Sequence, residues 1–380
     1  MATISRFNGL NNVSDPLRLG VKWLVQADNV NVTNTGALTK REGYAVAKLG
    51  EFTSAFNTFD FQHVYTAKGG KVCDFDGVEI YDLTSTDPLY WSETNNQVFF
   101  NNGVDSGIIL PDNTVIPWRW VLPNRPTLRA ITGKFPTGVY QVCCTSVLSD
   151  GRETGATEAV SIVLQEDQAL QIDDLTPGCN VYVTPANSEV FQLLGMATGV
   201  ATTFNASPDT LGRDLLNPFL DPLPFGADVI QFWKGRLYAA QPMPAEDQTA
   251  IWFSEPLGFH LFNLNSNFIL VPGRVFMLAA VDTSLIIGTD ARIYAYDGQK
   301  LDMLAEYGVV PGQHASRDGE TVYFWTTRGV CSALPFTNLT EKSVSVAPGV
   351  RAGGCVVRSG GQKRYLSVIQ QGGSAFNPYP

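Results

Sequence analysis

The sequence predicts an all-β fold, a β-propeller of about five to six blades with a β-sandwich inserted into it. Three observations predict this: a density of turn residues, a recurring pair of short strands, and one long gap in that recurrence. Thirty-five glycines and 22 prolines, with frequent Asn and Asp, leave almost no room for uninterrupted helices of ordinary length. The chain is one of strands and turns.

The recurring unit is three or four apolar residues, a polar or glycine turn, then a second alternating strand. Five copies are readable: HVYTAKGGKVCDFDG at 63–77, QVFFNNGVDSGIILPD at 97–112, RLYAAQPMPAEDQTAIWFSEP at 236–256, SLIIGTDARIYAYDG at 284–298 and TVYFWTTRGVCSALP at 321–335. A sixth begins at KRYLSV, 363–368. Outside the gap, successive copies start about 35 to 50 residues apart, close to the length of a propeller blade. A propeller closes its ring by pairing strands from the two chain ends, and here TISRFNGL near the start and RYLSVI near the end are the expected partners.

The gap holds an insertion that starts at LPNRPTLRAI and runs to about Leu216. GVYQVCCTSVLSDGRETGATEAVSIVL gives two alternating strands around the turn Ser149-Asp150-Gly151, and QALQIDDLTPGCNVYVTPANSEVFQLLGMATG continues with three more. About 90 residues with this turn spacing suit an immunoglobulin or fibronectin type III module. Pro218, Pro222 and Pro224 then stop any sheet from crossing the boundary. The expected organisation is residues 1–122 as the first part of the propeller, 123–216 as the inserted sandwich and 217–380 as the rest of the propeller.

Charge and composition narrow the function. A net charge of −10 argues against an outer surface built to grip nucleic acid or an acidic membrane, although an acidic lining suits a channel through which DNA slides. No run of about 18 apolar residues is present, and MATISRFNGLNN lacks the regions of a signal peptide, so the expectation is a soluble protein with no membrane anchor, made in the cytoplasm. Cys73, Cys143, Cys144, Cys179, Cys331 and Cys355 show no metal-type spacing and are expected to be buried thiols.

Enzymatic motifs are sparse, and the expectation is a protein that is not an enzyme and takes no cofactor. His63, His260 and His314 are the only histidines, and neither a G-x-S-x-G elbow nor an H-E-x-x-H helix occurs. His314, in VVPGQHASRDGE, reads as a surface or turn histidine. The carboxylate pairs Asp74/Asp76, Asp173/Asp174 and Glu246/Asp247 read as solvated turns or strand ends, since a glycosidase pair is set in space and not in sequence. CDFDG at 73–77 and TDARIYAYDG at 289–298 are turn signals before they are calcium ligands, and KGGK and GGQKR are hairpin turns, not phosphate loops. Exposed aromatics would serve as interface anchors, and the candidates are Trp118, Trp120, Phe259 and Phe262; the simpler alternative is that they fill sheet cores.

The opening FNGLNN, then Asp15-Pro16-Leu17, then QADNVNVTNTGALTKREGYA at 26–45, with its features on Asn29, Val30, Gly36, Lys40, Arg41, Gly43 and Tyr44, resembles bacteriophage tail and tail-hub proteins. GRLYAAQ followed by AIWFSEPLGFHLFN at 235–263, and the hairpin from Gly138 to Gly155, are similar to segments of the same group. In this the chain resembles the podovirus tail nozzle or hub family, which includes packaged-DNA stabilisation proteins; this chain is shorter than typical nozzle proteins. The resemblance implies a virion structural protein in a sixfold homo-oligomeric ring below the portal and adaptor. Such a ring continues the channel for double-stranded DNA, retains the genome and delivers it at ejection. Lys40, Arg41, Arg328 and Lys342 would then form sparse positive rings along the channel, without sequence reading. The competing expectations are a host-surface or glycan-binding tail module and, behind it, a propeller glycosidase.

Overall fold

A computed structural model describes residues 4, 6–41, 43, 45–205, 210–359 and 361–372, and over these the chain is all-β, with 34 strands and no α-helix. Thr3, Ser5, Tyr44 and Gly360, which belong to segments quoted above, lie outside the described residues.

Two short pairs open the chain. β1 (Gly9–Leu10) and β2 (Trp23–Leu24) run parallel, and β3 (Val30–Val32) and β4 (Leu38–Lys40) form an antiparallel hairpin. Two sheets of consecutive strands follow: β5 (Ser54–Asn57), β6 (Val64–Lys68), β7 (Lys71–Asp74) and β8 (Glu79–Asp82), then β9 (Tyr90–Thr94), β10 (Gln97–Asn101), β11 (Ser106–Ile109) and β12 (Val115–Pro117).

The insertion supplies β13 (Thr127–Thr132), β14 (Gly138–Thr145), β15 (Val160–Leu164), β16 (Gln168–Asp173), β17 (Asn180–Val183), β18 (Gln192–Met196) and β19 (Thr202–Phe204). They form two sheets, ordered β13-β16-β19 and β15-β14-β17-β18, and one apolar cluster draws on both. Period-two alternation explains the register of β14: Tyr140, Val142 and Cys144 join that cluster, while Val139 is exposed on the other face. The Ser149-Asp150-Gly151 turn forms as expected, with Gly151 at φ +83° and its N–H on Leu148 O. It closes only the tip of the hairpin, because the partner of β14 is β15, further along the chain.

The remaining strands return to consecutive order. β20 (Val229–Trp233), β21 (Arg236–Met243), β22 (Gln248–Glu255) and β23 (Gly258–Phe262) share a sheet, in which β24 (Phe268–Pro272) also pairs with β22. Next come β25 (Val275–Ala280), β26 (Leu285–Thr289), β27 (Ile293–Tyr296) and β28 (Leu301–Ala305). The last four-stranded sheet is β29 (Ser316–Asp318), β30 (Thr321–Thr326), β31 (Gly329–Ala333) and β32 (Thr337–Asn338). A two-stranded hairpin, β33 (Arg351–Ser359) and β34 (Gln362–Gln370), ends the described chain. All five strand pairs read from the sequence are therefore the second and third strands of such sheets.

The chain divides into two compact units: residues 1–90, 242–249 and 270–380, and residues 91–241 and 250–269. This division differs from the expected 1–122, 123–216 and 217–380, because the second unit keeps the sandwich together with the sheets that flank it in sequence. Asn101 Nδ2 donates to Ala227 O, Phe232 N–H to Ser92 Oγ at 2.8 Å, and Arg152 to Pro117 O at 2.9 Å. In the first unit, residues of β25–β27 and of β30 and β31 share one core. Arg351, at the start of β33, donates to Thr53 O beside β5 at 2.9 Å, and Gln313, ahead of β29, donates through Nε2 to Leu89 O ahead of β9 at 2.9 Å. Among the described residues the expected pairing of the two chain ends does not form. Gly9 and Leu10 pair with Trp23 and Leu24, and RYLSVI lies in β34 against β33, whose nine-residue register leaves no place for a third partner on that side.

Candidate interaction surface

The four aromatics expected at an interface are interior. Trp118 is 0% exposed, and Trp120, Phe259 and Phe262 are buried with it. The indoles explain why: Trp118 Nε1–H donates to Phe259 O and Trp120 Nε1–H to His260 O, each at 2.7 Å, so both rings are sewn to β23. Phe99 meets Trp118 and Phe259 edge-on at 5.2 and 5.8 Å. An indole whose only polar atom is consumed inside the chain is a core element, not an anchor for a partner. Between the two tryptophans, Arg119 donates to Val104 O at 2.8 Å and Gly103 O at 3.1 Å, and its guanidinium lies over the ring of Phe225 at 5.3 Å.

Groups with catalytic potential are likewise taken up by structure. His314 is 0% exposed, which overturns its reading as a surface histidine. Its Nε2 meets Val310 O at 2.6 Å, and its Nδ1 accepts from the N–H of Trp325 at 3.1 Å, which fixes the neutral Nε2–H tautomer. Burial holds its pKa down, at about 4. His260, also buried and held below its ordinary value by that burial, meets Glu153 O through Nε2 at 2.9 Å. His63 stacks on Tyr65 at a centroid distance of 6.0 Å.

Glu153 is a hub. Its Oε1 accepts from Thr145 Oγ1, Asn180 Nδ2 and Tyr182 OH at 2.5, 2.8 and 2.8 Å, and its Oε2 accepts from Arg213 at 2.5 Å. Burial pushes this carboxyl up, but the four donors outweigh it and hold the group below the usual carboxylate range. Two residues on, a side chain at Gly155 would put its Cβ 1.7 Å from Leu220 O, so only glycine fits there.

The acidic and glycine-rich segments are turns. Asp74 Oδ1 accepts the N–H groups of Gly77 and Val78, each at 2.8 Å, and Asp297 Oδ1 accepts those of Gln299 and Lys300, also at 2.8 Å. Asp173 is paired with Arg129 at 2.7 Å, which holds its carboxyl low, and Asp174 accepts from Thr127 at 2.7 Å. Among the cysteines, Cys143, Cys144, Cys179 and Cys331 are buried as expected; Cys73 is half-buried, and Cys355 is exposed because it lies on the outer face of β33.

The four expected channel residues fall on exposed hairpins and loops of the first unit. Lys40 ends β4 with Arg41 next to it, and Lys342 follows β32. Arg328 sits in the β30–β31 turn, over the ring of Tyr307 at 4.8 Å and 3.9 Å from the carboxylate of Glu341.

What the sequence did not single out is a set of bulky apolar side chains held in solvent on left-handed backbone. Phe61 (φ +59°, 80% exposed) is in the first unit, and Phe219 (φ +59°, 67%) and Leu257 (φ +59°, 74%) are in the second. A non-glycine residue in this region costs on the order of 1 kcal/mol, and exposure gives no packing to offset it. The turn of Phe61 is locked. Thr58 Oγ1 donates to Asp60 Oδ1 at 2.6 Å, the same oxygen takes the Gln62 N–H at 3.0 Å, and the Phe61 and His63 N–H groups both return to Thr58 at 3.0 Å. Phe59, on the same turn, is also exposed. The only sequence signal was an Asp between two Phe in TFDFQH, which period-two reading takes for a strand.

No protein-family model matches the chain, and no curated protein does. Among solved structures, the extracellular domain of BT4673 from B. thetaiotaomicron is similar at 13% identity and a TM-score of 0.30, over 81% of this chain and 36% of that one. The chain thus spans about a third of that structure. AztD from Citrobacter koseri is similar at 11% identity and a TM-score of 0.29, over 82% of this chain and 89% of that one. Dipeptidyl peptidase 4 from Porphyromonas gingivalis is similar at 10% identity and a TM-score of 0.27, over 83% and 46%. Likeness at this level carries no argument about what this chain does.

Proposed function

We propose that the chain is a non-enzymatic structural protein of a bacteriophage tail, a β-propeller that assembles into a nozzle or hub ring and continues the DNA channel. In this reading the five consecutive-strand sheets are blades, β33 and β34 occupy a sixth position, and the sandwich is a fibronectin III-like insertion between the second and third blades. The resemblance at residues 7–45, 138–155 and 235–263 supports it. The observation that carries it is the set of exposed, conformationally strained apolar side chains at Phe61, Phe219 and Leu257, since a part that works by docking needs rigid apolar anchors. Such anchors also replace Trp118, Trp120, Phe259 and Phe262 in that role. Lys40, Arg41 and Lys342 remain the proposed channel cations; Arg328, facing Glu341, contributes least.

The test is complementation of a phage lacking this gene. With the wild-type chain, electron microscopy is expected to show an axial ring in the tail. Phe61→Gly relieves left-handed strain, so the isolated variant melts at or above the wild-type temperature, yet it is expected to be lost from purified particles. A wild-type chain found in peripheral fibres, with binding on a glycan array, would replace this reading with the host-surface one; release of soluble sugar would replace it with a hydrolase.

A further inference from the structure

The hairpin β33–β34 has only two strands, as do β1–β2 and β3–β4 among the described residues, but its strands are nine residues long; the five consecutive-strand sheets between β5 and β32 have four or more. Its two edges differ. β33 is covered: the N–H groups of Ala352 and Gly354 donate to Pro311 O and Gln313 O at 2.9 and 3.0 Å, and that of Val356 to Ser316 Oγ at 3.0 Å. β34 runs for nine residues without a proline or a register shift, and its outer edge has no strand beside it among the described residues.

The two faces differ as well. Inward, Tyr365 donates to His314 O at 2.7 Å and Lys363 pairs with Asp318. Outward lie Cys355, Val357, Leu366 and Val368, all exposed, forming an apolar strip across both strands. A long, straight edge with no strand beside it among the described residues, next to exposed apolar side chains, is a template for strand addition.

We infer that the occupant is a second copy of this chain, and that the free edge of β34 pairs antiparallel with β34 of that copy about a two-fold axis through Leu366. The sequence of the edge selects this register. Centred on Leu366, all nine residues of QKRYLSVIQ overlap, Gln362 opposite Gln370, and the outward faces of both copies stay on one side. Lys363 then faces Ile369 and Arg364 faces Val368, so like charges lie at opposite ends; a shift of the centre to Arg364 would set two guanidinium groups against each other. The product is a four-stranded sheet with a continuous apolar outer strip. The isologous pair closes on itself and so describes the chain off the particle; it does not rest on the tail reading.

The experiment uses the full chain with Cys355→Ser as background. Light scattering across a concentration series is expected to show a dimer. Leu366→Cys is expected to give a disulfide-linked dimer on oxidation, because directly opposed residues of antiparallel strands lie about 4.5–5.5 Å apart at Cα, within disulfide reach. Val368→Cys, which faces Arg364 of the other copy, is expected not to crosslink. Leu366→Lys sets two ammonium groups against each other at the axis and is expected to give a folded monomer with fast hydrogen exchange at the edge-facing amides of Lys363, Tyr365, Ser367 and Ile369, those of the residues between them staying bonded to β33. The inference is overturned by a wild-type monomer at all concentrations, by a dimer that Leu366→Lys leaves intact, by crosslinking at residue 368 and not 366, or by edge-facing β34 amides that stay protected in the monomer because the chain's own C-terminal residues cover the edge.

Discussion

Acid should loosen this protein at His314 before it reaches the carboxylates. The imidazole is 0% exposed, with Nε2–H committed to Val310 O and Nδ1 to the N–H of Trp325. A proton on Nδ1 has nowhere to go without expelling that donor. The folded-state pKa therefore falls from 6.5 to about 4. Between those values the unfolded chain binds a proton that the folded chain refuses, so stability is fully present above about pH 6.5 and is lost as the pH falls towards 4. At about 1.36 kcal/mol per unit, the shift corresponds to roughly 3 kcal/mol in full, of which about 2 kcal/mol falls between pH 7 and pH 5. Denaturant unfolding followed by tryptophan fluorescence at those two pH values measures it. His260 contributes in the same direction, so the diagnostic quantity is the difference between wild type and His314→Gln. Gln keeps a donor for Val310 O but leaves the Trp325 N–H without an acceptor, at a cost of roughly 1–3 kcal/mol at neutral pH. The variant should start less stable and lose about 2 kcal/mol less on acidification. Parallel curves for the two proteins between pH 7 and pH 5 would refute the reasoning.

Three further outcomes follow from named contacts. Trp118→Ala removes a fully buried indole and its bond to Phe259 O, and is expected to cost about 3–5 kcal/mol in equilibrium unfolding; a change under about 1 kcal/mol would mean the ring is no core element. Glu153→Gln sets an amide against Tyr182, Asn180, Thr145 and Arg213, all donors, and should cost about 3 kcal/mol; retention of wild-type stability would show the hub to be dispensable. Thiol titration of the native chain should report Cys355 in the fast phase and release Cys143, Cys144, Cys179 and Cys331 only on unfolding, with burial pushing the Cys143 thiol up to about 12. Rapid native labelling of Cys143 would contradict the packing of β14.

How far the sequence could be read follows from where each strand lies in its sheet. The legible pairs, such as VYTAK with KVCD or TVYFWT with GVCSA, are central strands whose apolar residues face a core. Four of the outer strands, EIYD, VIP, SRD and TN, are short and half-exposed, and such segments carry no strand signal. β33 was hidden because RAGGCVVRS breaks alternation with two glycines, so only its partner KRYLSV was visible. Burial of single residues was less legible, since it depends on contacts distant in sequence. Pro311, Gly312 and Asp318 around His314 spell a surface loop, yet Tyr365 and β33 close over it from about forty to fifty residues away. Trp118-Arg119-Trp120 reads as either an interface loop or a core segment until β23, some 140 residues on, supplies carbonyls for both indoles.

The insertion shows how these distant contacts bear on mechanics. A module joined to its neighbours by its two ends alone hangs as a bead, and relative motion is the default. Here the tip of the Ser149-Asp150-Gly151 hairpin returns to the flanking sheets. Arg152 donates to Pro117 O on β12, and the Glu153 carbonyl accepts from Nε2–H of His260 on β23. Gly155 admits the backbone of Leu220, in the exit segment, at a distance no side chain would allow. The carboxylate of Glu153 meanwhile gathers β14, β17 and the segment at Arg213. One residue thus orders the sandwich through its side chain and fastens it to β23 through its main chain. The hairpin tip is tied to the sheets that flank it in sequence by two hydrogen bonds, one to β12 and one to β23, and by the close backbone approach at Leu220.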